Sequence, residues 1–352
     1  MTGVDHARFG SVTAHGVAEV RDSLEDLPPG WWAVVVTFEG TVTAVRFEEV
    51  CGGRADPADS PWTGLTGEWR TSMARDVYEE GVEEIRRRIA AGAVYQVNLC
   101  RVLSQPVPSW PDLGALADVL ALGNPAPYAG VVDARTAGVG VVCASPELYL
   151  RINGTTVTSG PIKGTATTAD RLLAKDYSEN VMIVDLVRND LSHICEPGSV
   201  EVEALCALEE HPGLVHLTSY VTGRLRRNVT WTEILDATFP PGSVSGAPKS
   251  SALRTIGDLE TEARSAYCGA VGWVDTRDPG RTRAELAVGI RSFFVRDGDA
   301  GLELCFGTGA GITWGSDPAR EWAETELKAS RLVGLASGPG TSSHVTAHDL
   351  GG

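Results

Sequence analysis

Residues 71–101, TSMARDVYEEGVEEIRRRIAAGAVYQVNLCR, decide the fold class. Tyr78, Val82, Ile85 and Ile89 recur at i, i+4, i+7 and i+11, the apolar stripe of one helix, and Gly92 supplies its stop. A strand follows at once. By alternation, Tyr95, Val97, Leu99 and Arg101 share one face of it, and Gln96, Asn98 and Cys100 the other. Upstream, GWWAVVVTFEG and TVTAVRFEEV are two strand runs joined at Gly40, and residues 51–69 form a Gly/Pro/Asp loop. Downstream, strands are expected at 138–152, 199–206, 215–225, 268–275, 284–296 and 301–306, and helices near 170–191, 230–237, 248–259 and 318–335. Long strands with a few helices and no regular strand–helix alternation predict an α+β fold with mostly antiparallel sheets, not a doubly wound one. The expected organisation is a strand-rich part at 1–70, a catalytic domain at 71–335 and a polar, Gly-rich, disordered tail at 336–352.

The chain has 352 residues, 43% of them hydrophobic, enough for a large core, and a formal net charge of −16. That charge disfavours nucleic acid or an anionic membrane as partner, so any anionic ligand must be met by local cations, backbone donors or a metal. The first residues, MTGVDHARFG, lack a signal-peptide pattern, and the apolar runs are too short to span a bilayer. Seven scattered cysteines without C-x-x-C pairs read as buried thiols of a reducing, cytoplasmic compartment.

Several residues stand out chemically. In KDYSENVMIVDLVRND, Glu179 falls on one helical stripe with Met182, Ile183 and Leu186; a carboxylate there either sits at the helix edge or needs a cation. Asp185 and Arg188 form a local pair on another face. On the last helix, Glu321, Glu324 and Lys328 share a face, as a surface ion pair or as part of a Mg²⁺ site completed by the other helix. In SGPIKGT, Lys163 is set in a turn between Pro161 and Gly164, which suits a fixed amine nucleophile or clamp as well as a surface loop. An amine nucleophile requires a base or a dry pocket, and Glu147 of SPELYL is the candidate base. His216 alternates along VHLTSYV, as a structural histidine or a site residue. The Gly-rich turns PPGSVSGAPK (240–249) and GTGAGI (307–312) can offer backbone N–H groups to an anion, but neither is a dinucleotide or P-loop signature.

Taken in order, AGAVYQVNLCR, SPELYL, SGPIKGT, SENVMIVDLVRND, HLTSYVTG, FPPGSVSGAPK, AYCGAVGW, GIRSFF and AETELKA resemble the chorismate-utilising enzyme family over residues 71–335. The resemblance implies two large, mostly antiparallel sheets packed together with flanking helices and one central active site. It implies chorismate as substrate, Mg²⁺ held by Glu179, Glu321 and Glu324, and a pocket lined by Gln96, His216, Ser243, Tyr267, Arg291, Gly309, Gly311 and Lys328. Water-using branches of the family carry lysine where this chain has Gln96, and a neutral amide cannot take that proton. Anthranilate-forming members typically read P-I-A-G-T where this chain reads PIKGT, so Lys163 matches the nucleophile of the aminodeoxychorismate-forming branch, with Glu147 as general acid and base. The implied co-substrate is ammonia from a separate glutamine amidotransferase subunit. An anthranilate-forming enzyme and a non-catalytic chorismate-binding subunit are the alternatives. The tryptophan-site element L-L-E-S is not seen, and the usual G-G-G is G-A-G, with Ala310 in the middle.

Overall fold

The computed structural model describes residues 5–53, 58, 60–166, 168–211, 214–298, 301–338 and 345–347. Its strands form one hydrogen-bonded series, antiparallel in every pairing but one. One half runs from Glu201–His211 through Leu214–Arg224, Thr156–Gly160, Leu148–Asn153, Arg283–Val288, Ala270–Asp275, Trp31–Val36 and Val42–Gly52 to Val12–Arg21. The other runs from His6–Phe9 through Tyr128–Ala134, Val139–Ser145, Ser292–Gly298 and Gly301–Ile312 to Gln96–Pro106. The hairpin between His6–Phe9 and Val12–Arg21 joins them. The N-terminal strands therefore belong to the same sheet system as the rest.

The largest core lies between the two halves, where Trp31, Trp32, Val271 and Leu150 from one meet Val132, Cys143 and Val102 from the other. A second core packs helices Leu113–Gly123 and Pro318–Ser337 on the outer face through Leu116, Leu120, Leu332 and Val333. The third sets helices Arg75–Ala90 and Lys249–Leu259 against Val97, Leu99 and Ile312. Tyr78, Val82 and Ile85 are buried there with Ile89 partly so, as their spacing predicts, and Gly92 stops the chain with φ +74°. Both faces of Gln96–Pro106 are buried, because the strand lies between helices and the opposite sheet half.

Several expectations need correction. The run 138–152 is two strands, because Pro146 has no N–H to donate and the ladder breaks at Pro146–Glu147. The run 284–296 also breaks, at residues 289–291, where Arg291 takes φ +55°. GTGAGI lies wholly inside strand Gly301–Ile312, and SGPIKGT spans two short strands rather than a turn. Helix Leu113–Gly123 was not anticipated. Of the tail 336–352, residues 336–338 end the last helix region and Val345–Ala347 pair in parallel with Trp69–Thr71; the others lie outside the described residues, as do 54–57 and 59 of the 51–69 loop. Five cysteines are buried and all seven are free thiols. No helix among the described residues is long and apolar enough to cross a membrane.

Candidate active site

Strand Ile162–Ala166 pairs with Leu214–Arg224, Ile162 opposite Thr218 and Thr165 opposite His216. Three residue steps face two, so Lys163 and Gly164 form a β-bulge. Gly164 takes φ +80°, and a Cβ there would lie 2.8 Å from the Asp176 Cβ, so conformation and space both demand glycine. The bulge takes Lys163 out of the regular alternation, and its Nζ donates to the Ser243 carbonyl at 3.2 Å. Asn98 Nδ2 donates to the same oxygen at 3.1 Å. Ser243 sits in the helical turn Gly242–Ser245, which Arg264 holds in place. The Arg264 guanidinium donates to the carbonyls of Val244 and Asn98, each at 2.8 Å, and pairs with Glu260 at 2.7 Å.

Glu147 occupies the strand break and is 4% exposed. Burial pushes its carboxyl up to about 7, with the nearby Ser243 hydroxyl and Lys163 acting the other way. A carboxyl of that strength exchanges a proton near neutrality. Burial also lowers the pKa of the Lys163 amine; Glu179 and Glu147 oppose the shift, while Lys328 adds to it. Lys163 and Glu147 are thus brought together, as the sequence predicts.

The second wall is helix Pro318–Ser337, capped by the Asp317 side chain on the Arg320 N–H at 3.0 Å. Arg101, 1% exposed, anchors it from beneath: the guanidinium lies 4.0 Å from the Trp322 ring centre, donates to Thr325 and Thr71, and pairs with Glu326. On the helix's site-facing side, Lys328 Nζ pairs with Glu324 at 2.7 Å and donates to the Gly309 carbonyl at 3.0 Å. Burial raises the Glu324 carboxyl, but Lys328, with Lys175 and Lys163, more than offsets this and the net shift is downward. Glu321 is pushed up, first by burial and further by Glu324. On helix Ala174–Ser192 the buried stripe is Asn180, Ile183, Val184 and Leu191, one position away from the expected one. Glu179 lies at its edge, half-buried, and contributes to the field at Lys163. Asp185 and Arg188 pair at 3.0 Å, as spacing predicts.

Glu179 and Glu324 both act on Lys163, and Glu321 and Glu324 act on each other, so the three carboxylates border one region. Among the described residues they are not gathered into a three-ligand cage. The expected metal set is therefore not preassembled, because Lys328 neutralises Glu324 and like charges hold apart. Hard carboxylate oxygens in ones and twos still fit Mg²⁺, which takes few protein ligands.

Glycines open the floor of the site. A Cβ at Gly307 would strike the Tyr267 ring at 1.9 Å, one at Gly309 the Cys100 Sγ at 2.5 Å, and one at Gly311 the Gln96 Nε2 at 2.5 Å. The Cys100 N–H donates to Glu260 and the Gly309 carbonyl accepts from Lys328, so neither group bonds across this pair of strands. The Gly309 N–H accordingly points away from Gln96–Pro106, as does that of Gly311 two residues on. The anion donors read from the sequence thus lie on a strand edge rather than a turn. Tyr267 is buried over Gly307. Arg291 has no carboxylate partner among the described residues, and burial lowers its pKa against the opposing effect of Tyr267. Gln96 is fully buried, and neither atom of its amide group has a partner among the described residues. His216 is buried opposite Thr165 and Glu209.

Sequence reading passed over Asn98, Arg101, Arg264, Thr218 and the Asp190–Lys249 pair at 2.8 Å. Asn98 and Thr218 carried a signal, since they share the strand faces of Gln96 and His216.

Residues 34–334 match the model of the chorismate binding enzyme family, and the chain belongs to that family. It is 36% identical over 293 residues to anthranilate synthase component 1 of Streptomyces coelicolor, covering 80% of this chain and 55% of that protein. It is 30% identical over 337 residues to aminodeoxychorismate synthase component 1 of Escherichia coli, covering 90% of this chain and 72% of that one. The crystal structure of anthranilate synthase component I from Streptococcus pneumoniae superimposes with a TM-score of 0.73 at 25% identity, over 88% of this chain and 82% of that one. The chain thus spans little more than half the length of the Streptomyces relative.

Proposed function

We propose that this protein converts chorismate and ammonia to 4-amino-4-deoxychorismate. The observation that carries the reading is Lys163, presented by a bulge, partly dehydrated and beside Glu147. Its amine, neutral when it reacts, adds to C2 of the ring as the 4-hydroxyl leaves with a proton from Glu147. Ammonia then adds at C4 as the C2–N bond to the lysine breaks, freeing the neutral amine, and Glu147 takes back a proton from the new C4 ammonium. Arg291 and Lys328 meet the substrate carboxylates, with the Gly309 and Gly311 N–H groups beside them. Mg²⁺ held by Glu179, Glu321 and Glu324 would supply Lewis-acid pull on the ring carboxylate. Relatives named as component 1 support a separate glutamine amidotransferase as the ammonia source.

The test is product identity. Purified protein with chorismate, Mg²⁺ and ammonium should yield a compound that aminodeoxychorismate lyase converts to 4-aminobenzoate. Fluorescent anthranilate with release of pyruvate would instead establish the second reading, which the 36% identity to an anthranilate synthase favours.

A further inference from the structure

Cys100, on strand Gln96–Pro106, and Cys268, just before strand Ala270–Asp275, are far apart in the chain but buried in one core with Tyr267. Their thiols are hydrogen-bonded to one another, and the Tyr267 hydroxyl is hydrogen-bonded to both sulfurs. Both backbones are held in place. The Cys100 N–H donates to Glu260 at 2.8 Å, and the Cys268 N–H donates to the Gly289 carbonyl at 2.9 Å. A Cβ at Gly309 would lie 2.5 Å from the Cys100 Sγ, so this sulfur covers the bare floor of the site at that point. Burial raises the Cys268 thiol, but the bond from Cys100 and the Arg264 guanidinium outweigh it and the net shift is downward. The other buried thiols differ: burial pushes Cys143 up, Cys195 up to about 11 and Cys305 up to about 12. A sulfur that ionises readily, in contact with a second thiol, is the arrangement that oxidises selectively.

We propose that Cys100 and Cys268 form a reversible disulfide when the protein meets hydrogen peroxide, and that this bond weakens binding of the ring substrate. The Cys268 thiolate attacks one peroxide oxygen and breaks the O–O bond, giving a sulfenic acid and hydroxide, which takes the proton lost from Cys268 and leaves as water. The Cys100 sulfur then attacks the sulfenyl sulfur, and the departing hydroxide takes the Cys100 proton as a second water. Two thiols are oxidised and one peroxide is reduced. The sulfurs must draw closer than hydrogen-bonding distance to join. Cys268 adjoins Tyr267, whose ring covers Gly307, and the closure costs the Tyr267 hydroxyl its thiol partners. It also removes the negative charge beside Arg264, which holds the Ser243 turn through the Val244 carbonyl. On thiols normally kept reduced, such a bond is a transient signal rather than a staple. Protein treated with hydrogen peroxide, quenched and cut with trypsin should yield peptides 89–101 and 265–277 joined. Calorimetric titration with chorismate should show a Kd raised by about 10-fold or more after oxidation and restored by dithiothreitol. Folded Cys100→Ala should give no joined peptide and keep its Kd within about twofold after peroxide. Absence of the joined peptide from wild-type protein, an unchanged Kd in the joined form, or an equal loss of affinity in Cys100→Ala overturns the switch. Failure of untreated wild-type protein to bind chorismate overturns the functional reading instead, and the peptide still decides whether the disulfide forms.

Discussion

Two sheet regions that border the site, a regular wall and an irregular edge, are built on opposite principles. Strands Gln96–Pro106 and Gly301–Ile312 pair over ten consecutive positions without a slip, and nearly every residue is buried. The facing edge, Ile162–Ala166, Glu201–His211 and Leu214–Arg224, shifts register three times and leaves Leu205 and Leu208 about half exposed. The regular wall fixes a shape, and its glycines hold the floor bare. The irregular edge aims one side chain, because only a bulge lets a strand residue leave its alternating face. Rigidity and aim are therefore supplied by different parts of one sheet.

Changes at the edge and at the wall should separate along that line. Lys163→Ala should lower aminated product by roughly 10³-fold or more with an unchanged melting curve, and wild-type turnover would remove the amine from the reaction. Arg264→Leu leaves Glu260 unpaired and two carbonyls without donors, so urea unfolding should show a loss of about 3–5 kcal/mol. A loss near zero would mean that the Ser243 turn holds itself. Glu147 binds its proton more tightly in the folded state, about 7 against an ordinary 4.5. Its contribution is therefore fully present below about pH 4.5 and is lost as pH rises through about 7, to the extent of roughly 3 kcal/mol. Glu147→Gln should flatten that part of the stability–pH curve, and an unaltered curve would place the ionisation elsewhere. Gly309→Ala meets Cys100 Sγ at 2.5 Å and the Leu99 carbonyl at 2.7 Å, and should cost about 1–3 kcal/mol. At the edge, Leu208→Ser should change stability by no more than about 0.5 kcal/mol. Equal costs at Gly309 and Leu208 would erase the contrast.

Much of the architecture was legible from periodicity. The helix at 75–90, its stop at Gly92, the following strand and the hairpin around Gly40 all sit where local pattern places them. Legibility failed where an element is buried on both sides or interrupted. Glu179 lies at the helix edge, one of the two places its spacing allows, but the stripe itself turns by one position, because burial of Asn180 depends on bonds to Leu217 and Ser219 from another strand. Helix 113–123 was missed because LGALADVLALG is apolar nearly all round and shows little amphipathic contrast.

By itself, the order of residues determined the α+β class, the acidic exterior and the set of amines and carboxyls available for chemistry, since composition and period are local properties. It also held Pro161 and Gly164 around Lys163, a local sign that sets that lysine apart. Tertiary structure decided the rest: the extra residue that forms the bulge, the Ser243 carbonyl that receives the amine, and the dryness that brings Glu147 to about 7. Register, burial and electric field arise between segments distant in the chain, and no segment carries them alone.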